Sequence, residues 1–327
     1  MKKHLFLALA VAVLFLMNIF FGSVHIAFSD VMSSLLGRNS DAMVNFIVVD
    51  SRLPQTVTAL LVGASLAVAG LLLQTALHNP LAGPSVLGIS GGASLGVALV
   101  TLGASWLGLP FLKSGIPVTV VALAGALAVT FLLLILNSLL RNNLVLLVAG
   151  LLLGYLISGI ITILNVVATA ENLQSYVMWG MGDFSSVSLS QLPFLSVALV
   201  ILIVLSVMMT KPLNAIMLGD QYAENLGVNI RRTRNVLLLI VGCITALTTA
   251  YCGPVAFIGL AVPHIARMVV RTDNFLPLIP MTLLCGAAVA LLCNVISAAP
   301  TSTVLPINAV TPIIGVPVIL YVIIRRK

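Results

Sequence analysis

Apolar runs of about 20 residues succeed one another along almost the whole chain, and a run of that length crosses the hydrocarbon core of a bilayer as a helix. Hydropathy places such runs at 5–22, 55–77, 86–106, 116–137, 144–168, 191–210, 235–252, 254–270, 276–297 and 307–324. A soluble fold cannot hold them, because only 7% of the 327 residues are charged where soluble domains carry roughly 25%. Too few polar groups remain to clothe a surface in water. The sequence therefore predicts an all-α integral membrane protein of ten transmembrane helices, a single transmembrane domain over residues 1–327.

Charge then orients the helices. A formal net charge of +7 would suggest anionic or nucleic-acid partners in a soluble protein, but cytoplasmic loops of membrane proteins collect Lys and Arg. The first helix reads as uncleaved, since bulky Phe20 precedes Gly22 and no A-x-A pattern follows. Entered from the cytoplasm, ten spans return the C-terminus to the same side. Lys2, Lys3, Arg141, Lys211, Arg231, Arg232, Arg234, Arg267, Arg271, Arg325, Arg326 and Lys327 then fall inside and Arg38, Arg52 and Lys113 outside, a split of 12 to 3. Both termini are expected in the cytoplasm, and no nucleic-acid partner is implied. Residues 23–52 read as an external segment with a surface-lying helix, and 171–190 as a second one with Tyr176 and Trp179 at the interface. The eighth span, interrupted by Pro254, Pro263 and His264, should line a cavity or pack within protein, because freed backbone groups cannot face lipid.

Several chemistries are disfavoured. Gly88, Gly92 and Gly96 superficially resemble a nucleotide loop but lack the Lys-Ser/Thr ending of a phosphate loop. Their four-residue spacing, like that of Gly63/Ala67 and Gly150/Gly154/Ser158, suits close helix packing. Cys243, Cys252, Cys285 and Cys293 lie in apolar stretches and indicate neither a disulfide framework nor a zinc site. No Asp or Glu lies mid-span, and His78 and His264 sit near span ends, which disfavours a proton-coupled pump and an intramembrane protease. The chain is not read as an enzyme: no catalytic residue, bound cofactor or metal is expected in it. Energy must then come from a partner, which draws attention to the cytoplasmic loop Gly219-Asp220-Gln-Tyr-Ala-Glu224-Asn-Leu226-Gly227. Asp220 can start and Gly227 stop a helix of one to two turns, the joint that a soluble motor requires.

Six motifs occur in order: Arg52-Leu-Pro54; Gly63-Ala-Ser-Leu-Ala-Val-Ala-Gly70-x3-Gln74; Asn79-Pro80-Leu81-Ala-x-Pro84-x2-Leu87-Gly88; Gly219-Asp220-x5-Leu226-Gly227; Gly253-Pro-x-x-Phe257-Ile-Gly259-x3-Pro263-His264-x-x-Arg267; and Leu305-Pro306-x4-Thr311-x3-Gly315-x-Pro317. With them, from about residue 50 to the end, the chain resembles the FecCD-type permease subunits of type II ATP-binding-cassette (ABC) importers for ferric siderophores, haem and vitamin B12. The resemblance implies a homodimer in lipid, a bacterial inner-membrane location, and an axial path between two ten-helix subunits. It implies two cytoplasmic ATPase subunits on the Gly219–Gly227 loop, with Asp220, Glu224 and Leu226 in the contact, ATP and Mg being held by those partners. An external substrate-binding protein would dock at Arg52 and Gln55, and Asn79 and Leu81 would contribute to a cytoplasmic gate. Two positions depart from the family pattern: Gln55 replaces the second arginine of R-L-P-R, and Ser297 stands near the ninth span's outer end where many members carry arginine. With Asp30, Asp41, Asp50, Glu171 and Asp183 outside, the external face counts 3 − 5 = −2.

The function so implied is ATP-driven alternating access for an iron chelate or cobalamin, recognised mainly by the binding protein, through a path of small and apolar side chains. An ion-coupled secondary transporter working alone, or a membrane enzyme acting on lipid, are the alternatives.

Overall fold

The computed structural model describes residues 2–38, 41–103, 118–140, 142–298 and 305–325. Lys113, Arg141, Arg326 and Lys327, with the adjoining ends of the third and fourth expected spans, lie outside the described residues. The elements in chain order are α1 (Lys2–Phe20), α2 (Phe28–Leu35), α3 (Ala42–Asn45), a π-helical stretch (Phe46–Arg52), α4 (Leu53–Ala76), α5 (Ile89–Thr101), α6 (Val118–Leu139), α7 (Asn143–Val167), α8 (Ala170–Gly180), a 3₁₀ turn (Phe184–Ser186), α9 (Leu192–Met208), α10 (Thr210–Met217), α11 (Asp220–Asn225), α12 (Ile230–Cys252), α13 (Ile258–Val270), α14 (Phe275–Ala298) and α15 (Ile307–Arg325). Among the described residues six helical runs are long and apolar enough to cross a membrane: α1, Ala42–Ala76, α6, α7, α12 and α14. The pair α9 and α10, bent by 48°, adds a broken seventh, and α5, α13 and most of α15 are shorter apolar helices. The protein is an all-helical, multi-pass membrane protein.

One expectation is corrected in the first external segment. Only Phe28–Leu35 forms a separate helix there; residues 42–52 instead continue through the π-helical stretch into α4, giving one helical run, Ala42–Ala76, of 35 residues. The reason is apolar: Val48 is buried against Ile19 and Val31, which holds this extension beside the end of α1. Arg52 thus sits inside a helix and not on an external loop.

Small residues put α4 at the centre. In its most apolar 18-residue window 83% of positions are buried, against 11% in α1 and 17% in α7. Lipid supplies no hydrophobic drive between helices, so close backbone approach has to do the packing. Gly63 of α4 lies against Gly286 of α14, and a Cβ there would stand 3.1 Å from the Gly286 carbonyl carbon. Gly70 meets Gly259 of α13 more closely still, and Gly92 of α5 faces Gly125 of α6. The small-residue spacing read from the sequence is therefore packing, as expected, with one amendment: Gly88 is not helical but precedes α5 at φ 77°, against Gly150 and Gly154 of α7. The four cysteines are free and lie in helices. Burial pushes the Tyr176 hydroxyl of α8 up from its ordinary pKa, and a hydrogen bond with Ser94 of α5 works the other way.

Hydrogen bonds define two ends of the bundle. At one, Lys3 Nζ donates to the Val269 carbonyl at 2.7 Å, Arg234 Nε to that of Ala76 at 3.1 Å, and Arg231 to that of Ser138. The starts of α1 and α12 and the finishes of α4, α6 and α13 gather at this basic end. At the opposite end Arg52 joins the start of α4 to the finish of α1. The broken eighth span behaves as its prolines require. Helix α13 keeps only 13 residues. In the irregular chain before it, Asn308 of α15 accepts from Ala256 N at 3.1 Å and donates to the carbonyls of Pro254 at 2.6 Å and Gly180 at 3.1 Å. A side-chain amide here does the work that water would do in a soluble protein.

Candidate functional site

Helix α4 ends in a Schellman turn: His78 N donates to Thr75 O at 3.2 Å and Asn79 N to Gln74 O at 3.0 Å. The turn residue is His78, at φ 48°, a left-handed conformation that non-glycine residues adopt at some steric cost. Pro80 cannot extend the helix, and Asn79 Oδ1 accepts from Leu81 N at 2.9 Å, closing a second turn. His264 Nε2 donates to the Pro80 carbonyl at 2.8 Å, tying the turn to α13. Asn79 and Leu81, the expected gate residues, thus stand on a tight turn at the basic end, with Leu81 48% exposed. Beside them opens a cleft of about 280 Å³ lined by Gln74, His78, Asn79, Arg267 and Asp273 among others. Arg267 Nη1 donates to Gln74 Oε1 at 2.8 Å and its Nε lies 3.8 Å from Asp273.

The loop read as a motor joint folds next to this turn. Helix α11 spans Asp220–Asn225 and stops in another Schellman turn, with Gly227 N donating to Glu224 O at 2.9 Å and Val228 N to Ala223 O at 3.0 Å; Gly227 takes φ 82°. The short helix and its glycine stop are as expected, but Asp220 does not cap it. Gly219 occupies that position, and the Asp220 carboxylate turns toward the bundle. Arg234 Nη2 donates to Asp220 Oδ2 at 3.4 Å, and His78 Nε2 lies 3.8 Å from Oδ1 while donating to the Ile216 carbonyl at 3.3 Å. Arg234 also holds Ala76 at the end of α4. His78 and Arg234 therefore connect the Asn79–Leu81 turn and the α11 loop, a link hidden in the sequence because each residue alone gives no sign of it. On its other side α11 buries Ala223 against Ala215, Ile216 and Ile230 and leaves Tyr222, Glu224 and Leu226 exposed.

At the opposite end the expected docking residues point inward. Arg52 is 6% exposed: Nη1 donates to the carbonyls of Ile19 at 3.0 Å and Phe20 at 3.1 Å, and Nη2 to that of Val24. Gln55 starts a polar chain across three helices, donating to Asn294 Oδ1 at 3.0 Å; Asn294 donates to Asn18 Oδ1 at 2.7 Å, and Asn18 to the Leu291 carbonyl at 3.1 Å. Both residues border a cleft of about 160 Å³ that also takes in Ser185. Ser297 is buried and donates to the Leu305 carbonyl, closing the connection from α14 to α15. Because Asn294 serves two neighbours at once, Asn294→Ala should cost about 2 kcal/mol, by leaving buried amide groups unpaired; thermal unfolding in detergent measures it. A cost below a few tenths would show that water enters the chain.

Comparison with known sequences decides what this architecture is. The profile of the FecCD transport family matches residues 9–325. The chain belongs to the FecCD transport family. Relatives include the vitamin B12 import system permease proteins BtuC of Salmonella typhi and Salmonella newport, each 36% identical over 276 residues, covering 84% of this chain and 82% of the relative. Among solved structures, an inward-facing ABC transporter described as of metal-chelate type superimposes with a TM-score of 0.85 at 25% identity, covering 100% of this chain and 99% of that one. The protein is a permease subunit of an ABC importer, a transport component and not an enzyme.

Proposed function

We propose that this permease passes cobalamin or an iron chelate, a ferric siderophore or haem, across a bacterial inner membrane by ATP-driven alternating access, as one of two identical subunits. The observation that carries the mechanism is the contact between α11 and the end of α4: exposed Tyr222 and Leu226 offer a partner an apolar grip while Asp220 is tied to His78 and Arg234 beside the Asn79–Leu81 turn. Two ATPase subunits, which hold ATP and Mg, would press on Glu224 and Leu226 between the hinges at Gly219 and Gly227. The Asn79–Leu81 turn then opens or closes the basic end. The external binding protein delivers the chelate at the end bearing Arg52 and Gln55. Similarity to vitamin B12 permeases and to a metal-chelate type transporter supports cobalamin and metal chelates as the cargo class.

The same reading assigns ten crossings with both termini in the cytoplasm. The six long runs, the bent pair and the three shorter helices give 6 + 1 + 3 = 10, the short ones being completed by the irregular segments before α5 and α13. Clustering of Lys3, Arg231, Arg234 and Arg267 at one end supports the cytoplasmic assignment.

Proteoliposomes containing the permease with its ATPase are expected to accumulate the binding-protein-delivered chelate only with ATP, and a hydrolysis-dead ATPase should reduce uptake to background. Uptake by the permease alone would show an ion-coupled carrier instead. Asp220→Lys, which sets a cation against Arg234 and breaks the partly exposed pairing that ties α11 to the bundle, should lower uptake severalfold; normal pumping would place the joint elsewhere.

A further inference from the structure

At the basic end, on the outer face of the bundle, a groove of about 430 Å³ runs between α6 and α12. Its upper rim carries Asn229, Arg231, Arg232 and Asn235, the last accepting from Asn137; its lower wall is Leu134, Val236 and Leu239. We infer that this groove binds one anionic phospholipid, its phosphate held by Arg231 and Arg232 and an acyl chain lying along Leu134 and Leu239. The inference rests on the reading of α6 and α12 as membrane spans.

Depth is the first argument. Leu239 lies nine residues beyond the start of α12 at Ile230, roughly 14 Å down the helix at 1.5 Å per residue, and four residues, about 6 Å, into the apolar run that begins at 235. The groove therefore begins at headgroup level and descends into the acyl layer, and Leu239 is 48% exposed along it. A free phosphate has no use for the apolar wall. A soluble partner could cover the arginines but could not reach Leu239. Only an amphiphile with its anion at the surface and its chain along the helices matches both parts.

Charge is the second argument. Of the three arginines in this turn, Arg234 faces inward to Asp220, whereas Arg231 and Arg232 remain on the groove side and are exposed. Arg231 is fixed across the groove by donating to the Ser138 carbonyl at the end of α6, which orients its guanidinium at the rim. Asn229 accepts from Arg232 N at 2.9 Å, so the first turn of α12 is set with its positive end toward the same point. Among the described residues no acidic side chain lines the groove. A planar guanidinium suits phosphate better than an ammonium does, and basic pockets between membrane helices on the cytoplasmic side are where anionic headgroups bind.

The test uses the full-length permease in nanodiscs of equimolar phosphatidylglycerol and phosphatidylcholine, released for native mass spectrometry. The wild type is expected to retain one phosphatidylglycerol with a preference of roughly tenfold or more over phosphatidylcholine, from two arginines acting near the surface. R231Q/R232Q should bring that preference close to unity. Leu239→Trp, which fills the lower groove and leaves both arginines in place, should release the lipid as well. Equal retention by wild type and both variants would overturn the inference, as would complete displacement by millimolar inorganic phosphate, which would mark a headgroup-only anion site. Cross-linking of the Arg231–Arg232 rim to the ATPase in the assembled transporter, with no lipid retained, would overturn it in favour of a protein partner. ATP-driven uptake measured on the same variants separates failure of this site from failure of the transport reading, because uptake then persists while lipid retention is lost.

Discussion

Gly70→Ala is expected to lose about 3 kcal/mol of stability, the upper end of what overpacking a core costs. The added methyl would stand on the carbonyl group of Gly259 and 2.8 Å from its Cα, atoms of a backbone and not the tip of a flexible side chain. Helices α4 and α13 would have to separate, and α13 is already held on its other flanks, by Asn308 before it and by His264 to the Pro80 carbonyl. The damage should therefore spread to the Asn79–Leu81 turn, so that uptake falls with stability. Gly159→Ala provides the contrast: nothing lies within 4 Å of a Cβ there, and alanine is the better helix former by about 1 kcal/mol. Thermal unfolding of the two purified variants in one detergent measures the difference. A Gly70→Ala protein that melts with the wild type would show that α4 and α13 do not touch in the membrane.

Arg52→Ala should also cost about 3 kcal/mol, by removing hydrogen bonds from a charged donor and leaving buried carbonyls without partners. The guanidinium joins α4 to the last turn of α1 and to Val24 beyond it, three carbonyls that a single fork reaches at once. Lysine should rescue little, since a point-like ammonium does not reproduce that fork. Stability is read without any binding protein, docking affinity with it. Both are expected to fall together, because the variant loosens the end at which docking is proposed. Loss of docking at full stability would assign Arg52 to direct pairing with the binding protein instead.

Much of the architecture was legible in the residues. Lipid imposes one solution on every apolar run, so the positions of α1, α6, α7, α12 and α14 follow from hydropathy to within a few residues. The short helix at Asp220 and its stop at Gly227 were legible because turn chemistry is local. Less legible was the segment 42–52, where Asn45, Asp50 and Arg52 interrupt an apolar stretch and hide a continuation of α4. Its helicity comes from Val48 meeting Ile19 and Val31, and distant partners leave no periodic mark. The inward turn of Asp220 was hidden for the same reason: a cap and an ion-pair partner look alike until Arg234 and His78 are in place.

The sequence by itself determined the solvent. With few charges and long apolar runs the chain can only be a helical membrane protein, and six ordered motifs place it among transport permeases. Tertiary structure decided which polar residues face outward. Arg52 and Gln55 are read from sequence as surface chemistry, yet both turn toward neighbours inside the bundle, and half-exposed Asp220 turns to Arg234 at its edge. The physical reason is that a polar side chain in a low-dielectric interior goes wherever an unpaired partner waits. Those partners, carbonyls at a helix end or an asparagine some 240 residues away along the chain, exist only once the helices have assembled.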